Sequence, residues 1–268
     1  MKKIICIGFV FGSLIMKAQE SNLKAKEIAS LTITSTKNNY KLDSSQTVSK
    51  QPLKDIENPQ VYNAISKQVL KDQVITNLND ALKNATGVSR LWESTGRGGD
   101  GAEFYSMRGF AVQPTMINGM PAISNGTIDP VNVESIEAIK APSGTLYGGS
   151  IISYGGLINI VTKKPFETFG GEVGYVTGSN GLNRFTADIN TPLHKHVFAR
   201  VNAAYHYEKS FQDAGFQKTF YVAPSIKIIA SNKLSFLLNT EFKNAESANA
   251  PMLFLNRYAP LSFQSLEW

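Results

Sequence analysis

Few side chains in this sequence stand at spacings that suit catalysis or metal binding. His194 and His196 lie two apart in a predicted strand and so share a face, but no third metal ligand follows at a supporting spacing. The glycine-rich stretches "GRGGDG" and "GGSIISYGG" lack the Gly-Lys-Ser/Thr ending and the GxGxxG pattern of phosphate loops. Ser143 lacks the nucleophile-elbow pattern, and no paired carboxylates stand out. We therefore predict that the chain is not an enzyme and holds no cofactor.

The charge of the chain is basic but dispersed. Its 27 lysines and arginines against 21 acidic residues give a formal net charge of +6. A nucleic-acid-binding surface would gather such side chains on one arm or stripe, whereas these are scattered along the sequence. We interpret the charge as ordinary solvated surface and predict no nucleic-acid partner.

The first residues have the pattern of an export signal. Two lysines precede an apolar stretch from Ile4 to Met16, and the small residue Ala18 follows. The stretch is shorter than the ~20 residues that a membrane-spanning helix needs. We predict a cleaved signal peptide at residues 1–18. Because the single cysteine, Cys6, lies within it, the exported chain should contain no disulfide.

A polar tail then precedes a region of mixed structure. Residues 19–52 are rich in lysine and serine, with one β-prone island, "LTITS", at Leu31 to Ser35. Residues 53–165 combine short strands, glycine-rich loops and a short helix, a mixture that predicts a compact α+β domain of ~110 residues. Within it, Asn118-Gly119 predicts a reversal of the chain.

One amphipathic helix is predicted in the α+β region. Four apolar residues recur at i, i+3, i+4 and i+7, with Thr76 placed as a cap and Gly87 placed to end the helix. The apolar face consists of Leu78, Ala81, Leu82 and Ala85.

Residues 166–268 have the pattern of long antiparallel strands. From Val197 to Tyr207 apolar and polar residues alternate over eleven positions, and turn residues separate this segment from similar ones. That length fits the ~9–11 residues of a tilted transmembrane strand better than the ~5–6 of a soluble sheet. Alternation is also found in soluble β-sandwiches, so both a membrane barrel and a soluble sheet stay open at this point.

Three stretches together resemble one family. "LNDALKNATGV", "MRGFAVQPTMINGM" and "SIEAIKAPSGTLYGGSIISYGGLINIVTKKP" are similar, in order and spacing, to the plug domain of TonB-dependent outer-membrane receptors. The "RGF" and "GGLINIVTKKP" forms most resemble the ferric-siderophore receptors. The chain departs from the family at Ala141, where a glycine is usual, and in the length of "GGSIISYGG".

The resemblance implies an α+β plug domain inside an antiparallel transmembrane β-barrel of about 22 strands, in the outer membrane of a Gram-negative bacterium. It implies a TonB box in the tail, which pairs with the periplasmic domain of TonB by strand addition and is driven by an inner-membrane motor. The island in the tail suits that role; its residues are Leu31, Thr32, Ile33, Thr34 and Ser35. The cargo would be a ferric siderophore, whose iron is wrapped by its chelator and needs no protein ligand.

Plug loops that this family points outward suggest the cargo-contacting residues. Trp92 offers a flat apolar surface, Arg97 offers a guanidinium fork for an anionic or hydroxamate chelate, and Gln113 lies in a loop that turns outward. The resemblance implies that Arg108 anchors the plug to the barrel wall. The adjacent Gly109 would permit close backbone approach, and Phe110 would pack the plug core.

About a hundred residues follow Pro165, enough for about five strands and short of the ~8 of the smallest closed barrel. Five strands in lipid would leave two edges unpaired, so we expect this chain to be a fragment. Two alternatives remain: a TonB-dependent receptor for cobalamin or a glycan, and a secreted, soluble two-domain binding protein.

Overall fold

A computed structural model describes most of the chain beyond the tail. The described residues are 40–51, 53–92, 103–122, 128–140, 147, 153–210 and 214–248. The predicted signal peptide, the island at Leu31 to Ser35 and Arg97 lie outside them. Within the described ranges, no helix combines the length and apolarity needed to cross a membrane.

An α+β domain is built on two small sheets. The five-stranded sheet contains β1 Tyr62–Ser66, β5 Pro114–Ile117, β6 Met120–Pro121, β7 Val133–Ile139 and β8 Leu157–Thr162. Its order is β1-β7-β8-β5-β6, antiparallel except between β5 and β8. The three-stranded sheet contains β2 Val88–Trp92, β3 Phe104–Met107 and β4 Phe110–Val112, in chain order. Three short helices accompany them: α1 Gln46–Ser49, α2 Lys67–Asp72 and α3 Leu78–Ala81.

The central strands β7 and β8 are buried almost along their whole length. Both faces of the sheet are covered here, so neither strand has a solvent face on which polar residues would alternate with apolar ones. Their buried polar residues include Glu137 on β7 and Asn159 on β8. Buried polar groups of this kind need hydrogen-bond partners.

The predicted amphipathic helix is present, and its four apolar residues are all buried. It is α3 continued by a single 3-10 turn, Leu82–Asn84. The cap is Asn77 and not Thr76 as predicted, because the Asn77 side chain accepts a hydrogen bond from the backbone of Asn79. Gly87 follows the helix with a φ of +69°, as a terminating glycine should.

Two tight turns define the hairpins of the domain. Arg108-Gly109 joins β3 to β4 and Asn118-Gly119 joins β5 to β6, and in each turn both central residues have positive φ. The reversal predicted at Asn118-Gly119 is confirmed. No atom of this chain lies within 4 Å of a Cβ placed on Gly109, so glycine serves the positive φ of +85° here, and the close backbone approach stays a prediction.

Phe110 does not pack the core of the domain. Its side chain is 49% exposed, and its ring lies 5.8 Å from that of Tyr154. Phe110 shares its face of β4 with the buried Val112, two residues on, and with Tyr105 and Met107 of the paired strand β3. It lies at the end of β4 beside the turn Arg108-Gly109, where its side chain stays half exposed. The prediction for Phe110 was wrong because it inferred burial from the aromatic residue type alone.

A third sheet, the wall sheet, follows the α+β domain. Its strands are β9 Gly170–Thr177, β10 Asn183–His194, β11 Val197–Lys209, β12 Phe216–Ser231, β13 Leu234–Asn239 and β14 Phe242–Ala248. All pairs are antiparallel. Strands β13 and β14 pair with successive halves of β12, so they form one interrupted strand that breaks at Thr240 and Glu241.

The polarity of the wall sheet is inverted relative to a soluble sheet. The face that is buried against the α+β domain carries polar side chains; they are Arg184, Asn190, Arg200, Asn202, His206, Thr219 and Ser225. The opposite face exposes apolar ones, among them Tyr175, Phe185, Ile189, Val201, Tyr205 and Phe220. A soluble sandwich buries its apolar face, so this arrangement favours the membrane interpretation over the soluble alternative.

Candidate functional site

The α+β domain meets the wall sheet through a row of buried ion pairs. The first joins Asp129, at the start of a 3-10 turn Pro130–Asn132, to Arg184 on β10. The two nitrogens of the guanidinium contact the two carboxylate oxygens at 2.5 and 3.1 Å, and both side chains are buried. The same carboxylate accepts a hydrogen bond from the backbone of Val131 at 2.9 Å and so caps the turn. Asp129 thus holds its own turn and the wall together.

A second ion cluster lies where the chain leaves the domain. Asp188 on β10 accepts from Lys163 at 2.8 Å and from two nitrogens of Arg200, on β11, at 2.7 and 2.8 Å. The third guanidinium nitrogen of Arg200 donates to the carbonyl of Lys164 at 2.9 Å. Arg200 therefore ties the exit segment to two neighbouring wall strands.

Neutral polar contacts lie beside the ion pairs. The side chain of Asn132 donates to the hydroxyl of Tyr221 at 3.1 Å, and this hydroxyl donates to Glu241 at 2.7 Å. The amides of Asn132 and Asn202 are also in contact at 3.1 Å. The ring of Tyr221 packs into the core of the α+β domain, together with Ala204 and Ala223 of the wall sheet. Three wall residues are thus part of the core of the domain.

The composition of this interface determines how it can move. Charged pairs gain little net free energy on burial because desolvation offsets their attraction, and water can replace the protein partners if the surfaces separate. An interface of apolar side chains would lose its whole burial free energy on separation. The polar part of this interface can therefore exchange its protein partners for water on separation, whereas the contacts of Tyr221, Ala204 and Ala223 with the core of the domain would be lost.

One end of the three-stranded sheet gathers the residues predicted to contact cargo. Trp92 pairs with Phe104 in the register of β2 and β3, and Gln113 directly follows the end of β4 beside Phe104. Trp92 is 42% exposed and Phe104 is 41% exposed. Arg97 lies in the segment 93–102, which connects these two strands and is outside the described residues. Trp92 and Gln113 thus lie at the same end of this sheet, and their contact with cargo stays a prediction.

Phe104 was not among the predicted residues, although the sequence contains a signal for it. In "FYSM" the apolar-inward alternation that buries Tyr105 and Met107 must turn Phe104 outward. Two flat, half-exposed side chains therefore lie at this end of the sheet, where the sequence had predicted one.

A buried carboxylate fixes the base of the same segment. Glu103 accepts from Asn79, beside α3, at 2.6 Å and from the hydroxyl of Tyr105 at 3.0 Å, with the guanidinium of Arg90 3.8 Å away. Burial, and then the nearby Glu103 carboxylate, raise the pKa of Tyr105 well above its ordinary value, so the phenol stays a donor at neutral pH. No motif in the sequence indicated this network, because its members are far apart in the chain.

Arg108 lies at the opposite end of the three-stranded sheet. Its side chain is exposed, and its guanidinium donates to the carbonyl of Lys140, just past the end of β7, at 2.9 Å. This contact joins two parts of the α+β domain. The wall contact that the family resemblance implied for Arg108 stays a prediction, and the described residues that bridge domain and wall include Asp129, Asn132 and Lys163.

An α+β domain held by polar contacts against a wall whose other face is apolar is the architecture of a plugged outer-membrane receptor. The family described as "TonB-dependent Receptor Plug Domain" matches residues 54–153. By this match, residues 54–153 are a plug domain of the TonB-dependent receptor type, and the strands of the wall sheet follow it. Proteins that the chain resembles in sequence and structure include siderophore receptors.

Two curated relatives illustrate the similarity. The chain is 35% identical over 167 residues to the catecholate siderophore receptor Fiu of Escherichia coli, an alignment covering 60% of this chain and 21% of Fiu. It is 28% identical over 198 residues to the ferripyoverdine receptor of Pseudomonas aeruginosa, covering 70% of this chain and 23% of that receptor. The chain thus spans between a fifth and a quarter of the length of these relatives.

A solved structure extends the similarity to the fold. The closed form of the ferric-catecholate import receptor Fiu of Escherichia coli K12 superposes with a TM-score of 0.68 at 29% identity. The superposition covers 78% of this chain and 29% of that receptor. The region it includes exceeds the plug, so the wall sheet also follows the family fold.

Proposed function

We propose that this chain is part of an outer-membrane receptor that takes up ferric siderophores with energy supplied through TonB. The observation that carries the proposal is the inverted wall sheet, which presents apolar residues outward and holds a family plug on its polar face. A sheet of this polarity suits lipid on one side and a hydrated lumen on the other. The similarity to receptors for catecholate siderophores and ferripyoverdine supports iron chelates over cobalamin or glycans as cargo.

The cargo would bind at the end of the three-stranded sheet that carries Trp92, Phe104 and Gln113, with Arg97 in the adjoining segment. Aromatic faces suit the flat rings of a chelate such as a catecholate, and a guanidinium suits its negative charge. Iron would arrive enclosed by its chelator, as cargo. Glu103 and its partners would hold the base of the binding segment in place.

Export and energy supply would depend on the part of the chain outside the described residues. Residues 1–18 would direct export as a cleaved signal peptide, and the tail from residue 19 to about residue 42 would lie in the periplasm, because residues 43–51 dock on the plug sheet. Leu31 to Ser35 would pair with the edge of a TonB sheet through their backbone groups. A pull on this segment would displace the plug, residues 53–165, from the polar contacts of the wall, and Arg108 would contribute a further wall contact.

An uptake experiment tests the proposal. The receptor gene, read through to its natural stop, is expressed in a Gram-negative strain without siderophore receptors, and iron-55 is supplied on a catecholate siderophore, ferripyoverdine or ferrioxamine B. We expect one chelate to bind outer membranes of both tonB-positive and tonB-negative cells and to enter only the positive cells. Uptake that is equal in both strains, or no binding of any of the three chelates, would contradict the proposal.

The predicted TonB box can be examined in the same cells with a matched pair of variants. Ile33→Pro removes a backbone donor from the segment, whereas Ile33→Val keeps both the donor and the β preference. We expect Ile33→Pro to lose uptake and keep binding, while Ile33→Val keeps both. Uptake by Ile33→Pro at the wild-type rate would show that the box lies elsewhere.

A further inference from the structure

The segment from Asp43 to Gln51, here called the clasp, is docked on the plug sheet by its own side chains. It contains α1, whose cap is Ser45: the Ser45 hydroxyl accepts from the backbone of Val48 at 3.2 Å and donates to Glu137. Two residues later, the Thr47 hydroxyl donates to the other oxygen of Glu137 at 2.6 Å. The hydroxyl that caps the helix is therefore the same one that docks it.

Glu137 depends on the clasp for most of its hydrogen bonds. The residue lies on β7 and is 2% exposed, and its third donor is the side-chain amide of Asn159, on β8, at 2.8 Å. Asn159 in turn accepts from the backbone of Gly119 at 2.9 Å. Removing the clasp would leave a buried carboxylate with one of these three donors, and a buried carboxylate without donors is costly.

Apolar contact completes the docking. Val48 has no exposed surface and packs against four buried residues of the domain; these are Met116, Ile139, Tyr147 and Leu157. The Tyr147 hydroxyl lies 2.8 Å from the carbonyl oxygen of Thr47 and 2.7 Å from that of Val48. The Tyr147 phenol thus contacts two backbone carbonyls of α1, and the side chain of Val48 packs into the domain.

Because of its position in the chain, the clasp would bear any tension that is applied to the tail. The clasp follows the tail and precedes β1, so tension applied to the tail reaches it before it reaches the plug sheet. Among the described residues before it, Tyr40 donates an exposed hydrogen bond to Asp72 at 2.6 Å. The clasp is therefore the first buried element in the described part of that path.

We propose that the clasp is a tension-sensitive latch whose release destabilises the plug sheet through Glu137. Withdrawal of Ser45 and Thr47 removes two hydrogen-bond donors from the Glu137 carboxylate, in the middle of the β7–β8 pair. The plug sheet itself therefore loses stability. A displacement of the tail is thereby converted into loosening of the plug. This inference rests on the proposed TonB-driven uptake and adds the element through which the pull reaches the plug.

An engineered disulfide provides a direct test. A Cβ placed on Gly119 lies 3.8 Å from the Cβ of Thr47, which is the usual separation in a disulfide. The natural cysteine, Cys6, lies in the predicted leader and should not compete. The double variant Thr47→Cys/Gly119→Cys is compared oxidised and reduced, with each single variant as a control for the strain of a side chain at φ +78°.

We expect the oxidised double variant to bind iron-55 catecholate like the reduced one but to take it up at least tenfold more slowly, with recovery on reduction. Equal uptake by the oxidised and reduced forms would overturn the latch while leaving the proposed function intact. Failure of the wild-type receptor to take up any chelate would instead contradict the proposed function. The two failures are therefore distinguishable.

A second measurement follows the coupling without transport. Thr47→Val keeps the shape of the side chain and removes one donor from Glu137; Ser49→Ala is the matched control, because the Ser49 hydroxyl donates to carbonyls of the clasp itself. In purified full receptor we expect Thr47→Val to raise the rate of tryptic cleavage after Lys50 several-fold. We also expect faster amide exchange in Val133–Ile139. If Thr47→Val leaves both rates equal to those of Ser49→Ala, the link through Glu137 is refuted.

Discussion

Asp129 and Arg184 form a two-point ion pair that is buried on both sides, one residue in the plug and the other in the first half of the wall sheet. Because Asp129 also caps the turn Pro130–Asn132, the ion pair orients the element that makes the neighbouring contacts to Asn202 and Tyr221. The ion pair, the capped turn and the contacts to Asn202 and Tyr221 therefore form one connected polar network.

Breaking one side of this pair should be costly. In Arg184→Ala the carboxylate of Asp129 stays buried without its partner, which typically destabilises a protein by about 3–5 kcal/mol. We expect the free energy of unfolding of the detergent-solubilised receptor to fall by that amount, measured by denaturant titration. The double variant Asp129→Asn/Arg184→Met, which removes both charges, should recover much of the loss. An Arg184→Ala receptor as stable as wild type would show that the pair carries no such role.

The exposed aromatics of the three-stranded sheet offer a matched test of the cargo site. Trp92 and Phe110 are both about half exposed but lie at opposite ends of this sheet. Truncation of an aromatic binding residue commonly costs 2 kcal/mol or more, so we expect Trp92→Ala to weaken chelate binding by about tenfold or more. Phe110→Ala should bind normally in the same equilibrium assay. Equal losses in both variants would place the cargo elsewhere.

Two glycines should differ sharply in their tolerance of alanine. At Gly156 a Cβ would lie 2.0 Å from the carbonyl oxygen of Ile139 and 2.8 Å from the sulfur of Met107, at a φ of +135°. At Gly109 the space is free and only the positive φ is unfavourable. We expect Gly109→Ala to cost about 1 kcal/mol and Gly156→Ala clearly more, since backbone must move. Thermal unfolding of the two variants measures the difference, and equal melting temperatures would contradict it.

The outward face of the wall can be probed at Val201, an exposed residue in the middle of β11. If this face contacts lipid, Val201→Arg should disfavour assembly by about 2–4 kcal/mol, the cost of a cation near the bilayer midplane. Val201→Leu keeps the apolar character and should assemble normally. The amount of folded receptor in isolated outer membranes reports the outcome. Normal assembly of Val201→Arg would place Val201 away from lipid.

Local signals predicted much of the plug. The apolar spacing of the helix around Leu78 and the turn Asn118-Gly119 both involve residues close in the chain, and both are present in the structure. The errors arose where burial depends on distant partners. Phe110 was predicted in the core because its residue type is usually buried, but it lies at the end of β4 beside the turn and is 49% exposed.

The contacts that join the parts of the molecule could not be predicted in this way. Glu137 lies about ninety residues from Ser45 and Thr47, and Asp129 lies 55 residues from Arg184. In a single sequence such residues look like ordinary surface residues, because nothing in the local sequence identifies the distant partner of a carboxylate. The fold brings them together and, by excluding water, makes each contact matter.

The sequence by itself determined the α+β character of the plug, the long alternating strands of the wall and the resemblance to a receptor family. All three depend on residues that are close together in the chain. It did not determine which face of the wall sheet contacts the plug, because a strand with a period of two has two equivalent faces. The tertiary structure decided that question: the plug lies against Arg184, Arg200 and Asn202, and the apolar side chains are left on the outside. Because the plug occupies one face of the wall sheet, the ion pairs can form on that face alone. The apolar face is then left for a nonaqueous environment such as lipid.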